Sequence, residues 1–315
     1  MKKRLITSVF ITLALVLAFV SRALTLYVFD LLFAGLAVMG CVEVARVMER
    51  FKRYPHIAVA GSIPAVMYIA CIVLIKKQLT WQYYMVALLG VIILYFFVVF
   101  LITLLMKKTT DAEMEKYGLS GVKRSSYAYE KGFNTLFLVF YPSLLFMSLI
   151  MLNHLSELPN LIAIESDTKN LTLFVLLLAV VCTICTDTFA YLVGSSLRGP
   201  KLCPRISPNK TISGSVGGLF GGVVSALLLY LIFITNKSFV VAFSAIGGQV
   251  WHIVVLGILG SVISQFGDLF ASALKRHARV KDYGTIFPGH GGVMDRVDAL
   301  IFNSFFVLIF MLFLI

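Results

Sequence analysis

Long apolar runs alternate along this chain with short polar stretches, and the lengths of the runs set the first expectation. A helix needs roughly 20 residues to cross about 30 Å of hydrocarbon. Nine runs come close to that length or exceed it: 5–20, 23–41, 57–75, 82–106, 135–152, 171–197, 215–235, 250–271 and 293–315. The pattern predicts an all-α fold, a polytopic integral membrane helical bundle of nine transmembrane helices.

Composition strengthens that reading. Of 315 residues, 60% are hydrophobic and 13% charged, far below the roughly 25% charged residues of an ordinary globular domain. The net charge of +12 does not point to nucleic acid, because the basic residues sit in short segments that flank the apolar runs. With the N-terminus in the cytoplasm, inner segments hold three Lys/Arg at 2–4, four at 46–53, six at 107–131, four at 198–210 and five at 275–296. The outer side holds only Arg22, Lys76, Lys77, Lys169 and Lys237. This asymmetry predicts the orientation.

Several features add little. The five cysteines are odd in number and lie mostly in apolar runs, so no disulfide framework follows, and Cys182-x-x-Cys185 reads as buried small residues. The N-terminal Lys-Lys-Arg and apolar run are expected to stay as a first helix, since no convincing cleavage site precedes the next run. Segment 107–134 is the longest inner polar stretch and is expected to be a solvated loop near anionic headgroups. Outer loop 153–170, with Glu157, Glu165 and Asp167, receives no role. The polar chemistry gathers after residue 185, which divides the chain into a generic N-terminal part, 1–170, and a catalytic part, 171–315.

Three groups in the second part converge on the predicted cytoplasmic side. Asp187 lies in the sixth run, followed by Thr188 and Tyr191. An ionisable group in such a run costs about 2.5–3.5 kcal/mol to insert, so it implies either a binding role or a basic partner. Arg205 to Gly218 opens the seventh run, with hydroxyls at Ser207, Thr211 and Ser213, a charge at Lys210 and glycines that shape the backbone. Such a segment can hold an anion or simply cap a helix, and it lacks the G-x-x-x-x-G-K-[ST] pattern of a P-loop.

The third group is the densest. Asp268 ends the eighth run, and Lys275, Arg276, Lys281, Asp282, Arg296, Asp295 and Asp298 surround the turn Pro288-Gly289-His290-Gly291-Gly292. Asp295 and Asp298 are three apart and fall on one helix face. A divalent cation would relieve their repulsion, and Asp268, Asp295 and Asp298 form the expected ligand set for Mg²⁺, against the alternative of ion pairs with Lys275, Arg276 and Arg296. Gly289, Gly291 and Gly292 let a ligand approach the backbone. His290 either serves a phosphate or bonds the turn itself.

These residues resemble a known family. Ser272-x-Leu274-Lys275-Arg276, four residues, then Lys281-Asp282-x-Gly284-x-x-Phe287-Pro288-x-His290-Gly291-Gly292-Val293-x-Asp295-Arg296-Val297-Asp298 is similar to the pattern of phosphatidate cytidylyltransferases, the CDP-diglyceride synthases. The resemblance covers about 185–300 and departs from the family at Ser213 and Ala271, where acidic residues are common. It implies transfer of CMP from CTP to phosphatidic acid with Mg²⁺, yielding CDP-diacylglycerol and pyrophosphate. It also implies phosphate contacts from Lys275, Arg276, Lys281 and Arg296, with Ser207 and Lys210 holding the triphosphate or the lipid phosphate. The partners would be CTP, phosphatidic acid and the bilayer, with room for a homodimer, in a bacterial plasma membrane. The alternatives are a CTP-dependent polyprenol kinase, which the complete Lys-Arg to Asp-Arg-x-Asp frame disfavours, and an ion-coupled transporter. A transporter would spread its charges along a pathway through the bilayer. On this reading Asp295→Asn would leave the protein folded and nearly inactive.

Overall fold

The computed structural model describes residues 2–22, 24–50, 52–78, 81–119, 121–162 and 168–314. Glu165 and Asp167 of the outer loop lie outside them. Helices α1 (Lys2–Ser21), α2 (Leu26–Arg50), α3 (Ile57–Lys76) and α4 (Trp81–Leu105) come first, and the short α5 (Lys107–Lys116) follows. Next are α6 (Arg124–Leu138), α7 (Leu145–Asn153), the single turn α8 (Pro159–Ile162) and α9 (Lys169–Leu197). A small hairpin, β1 (Lys201–Cys203) and β2 (Ser207–Thr211), leads into α10 (Ile212–Phe233), α11 (Lys237–Ala245), α12 (Val250–His277) and α13 (Met294–Leu314).

Among the described residues, eight helical stretches are long and apolar enough to cross a membrane. They match the second to ninth expected runs, while the first run lies in α1, where Thr12–Ser21 is a shorter apolar piece. The span that matches the fifth expected run is longer than expected, running from Arg124 to Asn153 through α6, a kink at Val139–Leu144 where Tyr141 leaves helical geometry, and α7.

Segment 107–134 is not the expected solvated loop. Lys131 is buried against Glu113, Arg124 grips Asp111 with two nitrogens, and Tyr54, Met114 and Tyr127 form a small core of their own. Pairing the charges lets α5 and the polar half of α6 fold against the bundle.

The closest helix pairing is that of α10 with α9 and α12. Gly217 and Gly222 allow it: a Cβ at Gly217 would stand 2.5 Å from the Val193 Cβ, and one at Gly222 would stand 1.8 Å from the Ser261 hydroxyl. Small residues at a helix crossing let backbones approach and gain dispersion contacts that lipid cannot replace. Asn303 on α13 ties the same layer to α9, donating to Ala179 O at 2.9 Å and to Thr183 Oγ1 at 3.0 Å. The packing aligns the end of α9, the start of α10, the end of α12 and the start of α13, and the polar residues of the second half meet there.

Candidate active site

The hairpin and the first turn of α10 form one wall. β1 and β2 pair antiparallel, with Lys201 opposite Thr211 and Cys203 opposite Ser207. Thr211 is the N-cap of α10, its Oγ1 accepting from Gly214 N at 3.1 Å, so the sequence expectation of a cap is met at this residue. The hydroxyl of Ser213, at one of the family's acidic positions, donates to Arg198 O. Ser207 and Lys210 lie on β2, and Lys210 forms an ion pair with Asp268 of α12. Arg276, in the last turn of α12, donates to Ile206 O at 3.3 Å and holds the hairpin to that helix.

Two ammonium–carboxylate pairs, Lys210 with Asp268 and Lys275 with Asp295, lie at the mouth of the bundle, with Asp187 and Asp298 within range of their charges. Asp187 of α9 feels the charges of Asp268 and Lys210. Asp298 of α13 is buried and feels Asp268, Lys275 and Asp187. One of its oxygens, Oδ1, accepts from Ala299 N at 2.8 Å.

Asp295 also ties the loop that precedes α13. Its Oδ1 accepts from Lys275 Nζ at 2.7 Å, and its Oδ2 accepts from Tyr283 N at 2.8 Å and Gly292 N at 2.9 Å. The side chain is 3% exposed. Oδ2 thus fixes loop 278–293 against the start of α13, and Oδ1 holds Lys275. Asp268, Asp295 and Asp298 do not converge: among the described residues, no three His, Cys, Asp or Glu side chains come together closely enough to hold a metal ion by themselves.

Loop 278–293 forms the second wall. Phe287 N donates to Gly291 O and His290 N to Phe287 O, both at 2.9 Å, closing a tight turn. Gly291 has φ of +86°, and a Cβ there would stand 2.7 Å from Asp295 Oδ2, so glycine is required both by the backbone and by the space. The turn borders a cavity of about 530 Å³ lined by Lys281, Asp282, Gly289, His290 and Arg296 among others. His290 thus closes the turn through its backbone and is one of the residues that line the cavity.

Two aromatic residues escaped the sequence reading. Tyr283 is buried beneath Lys275, 5.3 Å from ring centre to ammonium, and donates to Ala271 O at 3.1 Å. Ala271, the other family acidic position, thus contributes its carbonyl instead. Burial pushes the Tyr283 phenol above its ordinary pKa and keeps it neutral. The Tyr141 hydroxyl lies 3.4 Å from that of Tyr283. Glu43 of α2 was also missed: it lies just past the expected run 23–41, in the part of the helix that extends to Arg50.

The oxygen donors suit a hard divalent cation bound in the manner of Mg²⁺, by one or two carboxylates with the remaining positions left to substrate phosphates. They do not suit an all-protein cage. Asp268, whose pair with Lys210 is partly exposed, and Asp298 are the carboxylates that would hold it.

A family model described as the cytidylyltransferase family matches residues 2–314. The chain belongs to this family. Within it, a protein named phosphatidate cytidylyltransferase from Brucella abortus biovar 1 (strain 9-941) is 48% identical over 130 residues, 41% of this chain and 43% of that relative. Another of the same name, from Staphylococcus saprophyticus, is 39% identical over 136 residues, 43% of this chain and 48% of that relative. The matched stretches span less than half of these cytidylyltransferases.

Proposed function

We propose that the chain is a phosphatidate cytidylyltransferase that transfers CMP from CTP to phosphatidic acid at the cytoplasmic face of a bacterial plasma membrane. The observation that carries this reading is the presence, at one end of a membrane bundle, of two ammonium–carboxylate pairs, Lys210 with Asp268 and Lys275 with Asp295, and of a cavity lined by Lys281, Asp282, His290 and Arg296. Relatives that bear this name support the substrates. The excess of Lys and Arg in segments 46–53, 107–131, 198–210 and 275–296 supports the cytoplasmic side.

In this reaction a phosphate oxygen of phosphatidate attacks the α-phosphorus of CTP, a new O–P bond forms, and the bond to the β-phosphate breaks to release pyrophosphate. The attacking oxygen is already anionic, so positioning and charge relief matter more than a strong base. Lys281 and Arg296 on the cavity wall are placed to bind the polyphosphate, with Arg296 offering a planar fork to its oxygens. Lys210, on the hairpin, is free to exchange Asp268 for an arriving phosphate because its ion pair is partly exposed. Lys275 is held in place by Asp295, and its charge offsets the carboxylates around it. Mg²⁺ bound by Asp268 and Asp298 would neutralise phosphate oxygens and act as a Lewis acid.

The test is to supply the purified protein with phosphatidate and CTP labelled either in the cytosine ring or at the γ-phosphate. Ring label in the lipid product is the expected result. γ-Label in the lipid would mean a kinase instead, and no labelled lipid from folded protein would end the proposal.

A further inference from the structure

Glu43 sits in the C-terminal half of α2, in the N-terminal part of the chain, and it is 3% exposed. Its two carboxylate oxygens accept from two successive backbone N–H groups at the start of α13: Oε1 from Val293 N and Oε2 from Met294 N, each at 3.0 Å. The next N–H upstream, that of Gly292, goes to Asp295. Three consecutive donors at one helix start are therefore divided between two carboxylates, one local and one about 250 residues away in sequence.

The surroundings are shaped to admit this carboxylate. A Cβ at either Gly284 or Gly292 would stand 2.4 Å from Oε1, so the loop closes on Glu43 from two sides. One turn earlier on α2, a Cβ at Gly40 would stand 2.9 Å from the Met294 sulfur, so the helix backbone itself presses on the start of α13. The first N–H groups of a helix have no partners within it, and a negative charge there also meets the positive end of the helix dipole. That offsets the cost of burying a carboxylate without a basic partner in hydrogen-bond range.

We infer that Glu43 is a positioning residue for the proposed cytidylyl transfer: it fixes the rotation of the first turn of α13, and through it Asp295, the Lys275 pair and the direction of Asp298. It touches no substrate. Its effect passes through the 292–294 backbone, so it should govern turnover rather than the capture of phosphatidate.

The inference rests on the proposed activity, and the experiment separates the two. Wild type and Glu43→Gln are purified as full chains in detergent and compared in CDP-diacylglycerol synthesis and in amide hydrogen exchange. Glutamine keeps the shape but turns one acceptor into an NH₂ that faces a backbone N–H. Expected are a fall in kcat of about tenfold or more, a KM for phosphatidate within about twofold, and faster exchange confined to 283–296 while 212–233 is unchanged. Wild-type kcat, or exchange accelerated evenly across the protein, would overturn the inference. A wild-type protein without activity would defeat the proposed function, and the local exchange result would still decide the role of Glu43 in the turn. Should Glu43→Gln not fold, Gly292→Ala presses a methyl onto the same carboxylate and is expected to give the same local signature. Failure of both to fold would make Glu43 a folding residue and overturn the positioning role.

Discussion

Asp295 and Asp298 stand three positions apart on one helix, yet their environments call for opposite behaviour on neutralisation. Asp295 is the counter-charge of buried Lys275 and the acceptor for two loop N–H groups. Removing its charge leaves an ammonium partly unpaired in a dry site, which costs about 3 kcal/mol, the lower end for breaking a buried pair, because the asparagine carbonyl keeps one hydrogen bond. Asp295→Asn is therefore expected to lower thermal stability as well as activity, unlike the sequence-based expectation of a folded, inactive protein. Asp298 is buried within range of the negative charges of Asp268 and Asp187, so Asp298→Asn relieves repulsion. It should keep or raise the melting temperature while reducing turnover about a hundredfold or more. Thermal melts of the two variants side by side check the contrast.

A second residue-scale case lies at the opposite end of the bundle. His154 follows α7 and is fully buried, with Nε2 2.7 Å from Asp30 Oδ2 and Nδ1 3.0 Å from Glu157 Oε2. Burial alone would lower its pKa, but the bonds and charges of Asp30 and Glu157 outweigh burial and raise it. A raised folded pKa means that the protonated imidazole stabilises the fold fully below the unfolded pKa of about 6.5, and that this contribution is lost as pH rises through the folded value. Melting temperature should fall with rising pH over that window, and His154→Gln should flatten the slope. A wild-type slope in the variant would remove His154 as its source.

At the scale of elements, the α9–α10 contact sets the distance between Asp187 and the hairpin that carries Lys210. Gly217→Ala would force its methyl against the branched Val193 side chain, where no flexible tip can give way. Overpacking of this kind costs about 1–3 kcal/mol. It should also depress activity by moving the two walls of the site apart, which paired melts and CDP-diacylglycerol assays would register. Elements were also where the sequence was least transparent. The apolar runs of α9, α10, α12 and α13 announced themselves through length, but α5 and the first half of α6 did not. Their helicity depends on Lys131 meeting Glu113 and on the Tyr54 and Tyr117 rings stacking at 3.9 Å, contacts between segments that no local pattern encodes.

Across the whole molecule, the site residues came from segments with dense local signals: the frame from Lys275 to Asp298, the β2 segment, and the lone charge at Asp187. Their types and neighbourhood were legible because charge inside apolar sequence is costly. The division of labour among them was not. That Asp295 anchors the loop depends on which backbone N–H groups loop 278–293 presents, and this follows only from the fold. Glu43 shows the same limit at the largest separation, since its partners lie at the far end of the chain.

The central claim is that a carboxylate cluster at one end of this bundle runs CMP transfer to a lipid phosphate. The most direct test is the rate of CDP-diacylglycerol formation from CTP and phosphatidate by purified wild type beside Asp298→Asn, with both melting temperatures recorded. The account predicts steady product from wild type and a loss of about a hundredfold or more in the variant without loss of stability. Equal rates in the two proteins, or no product from folded wild type, would contradict it.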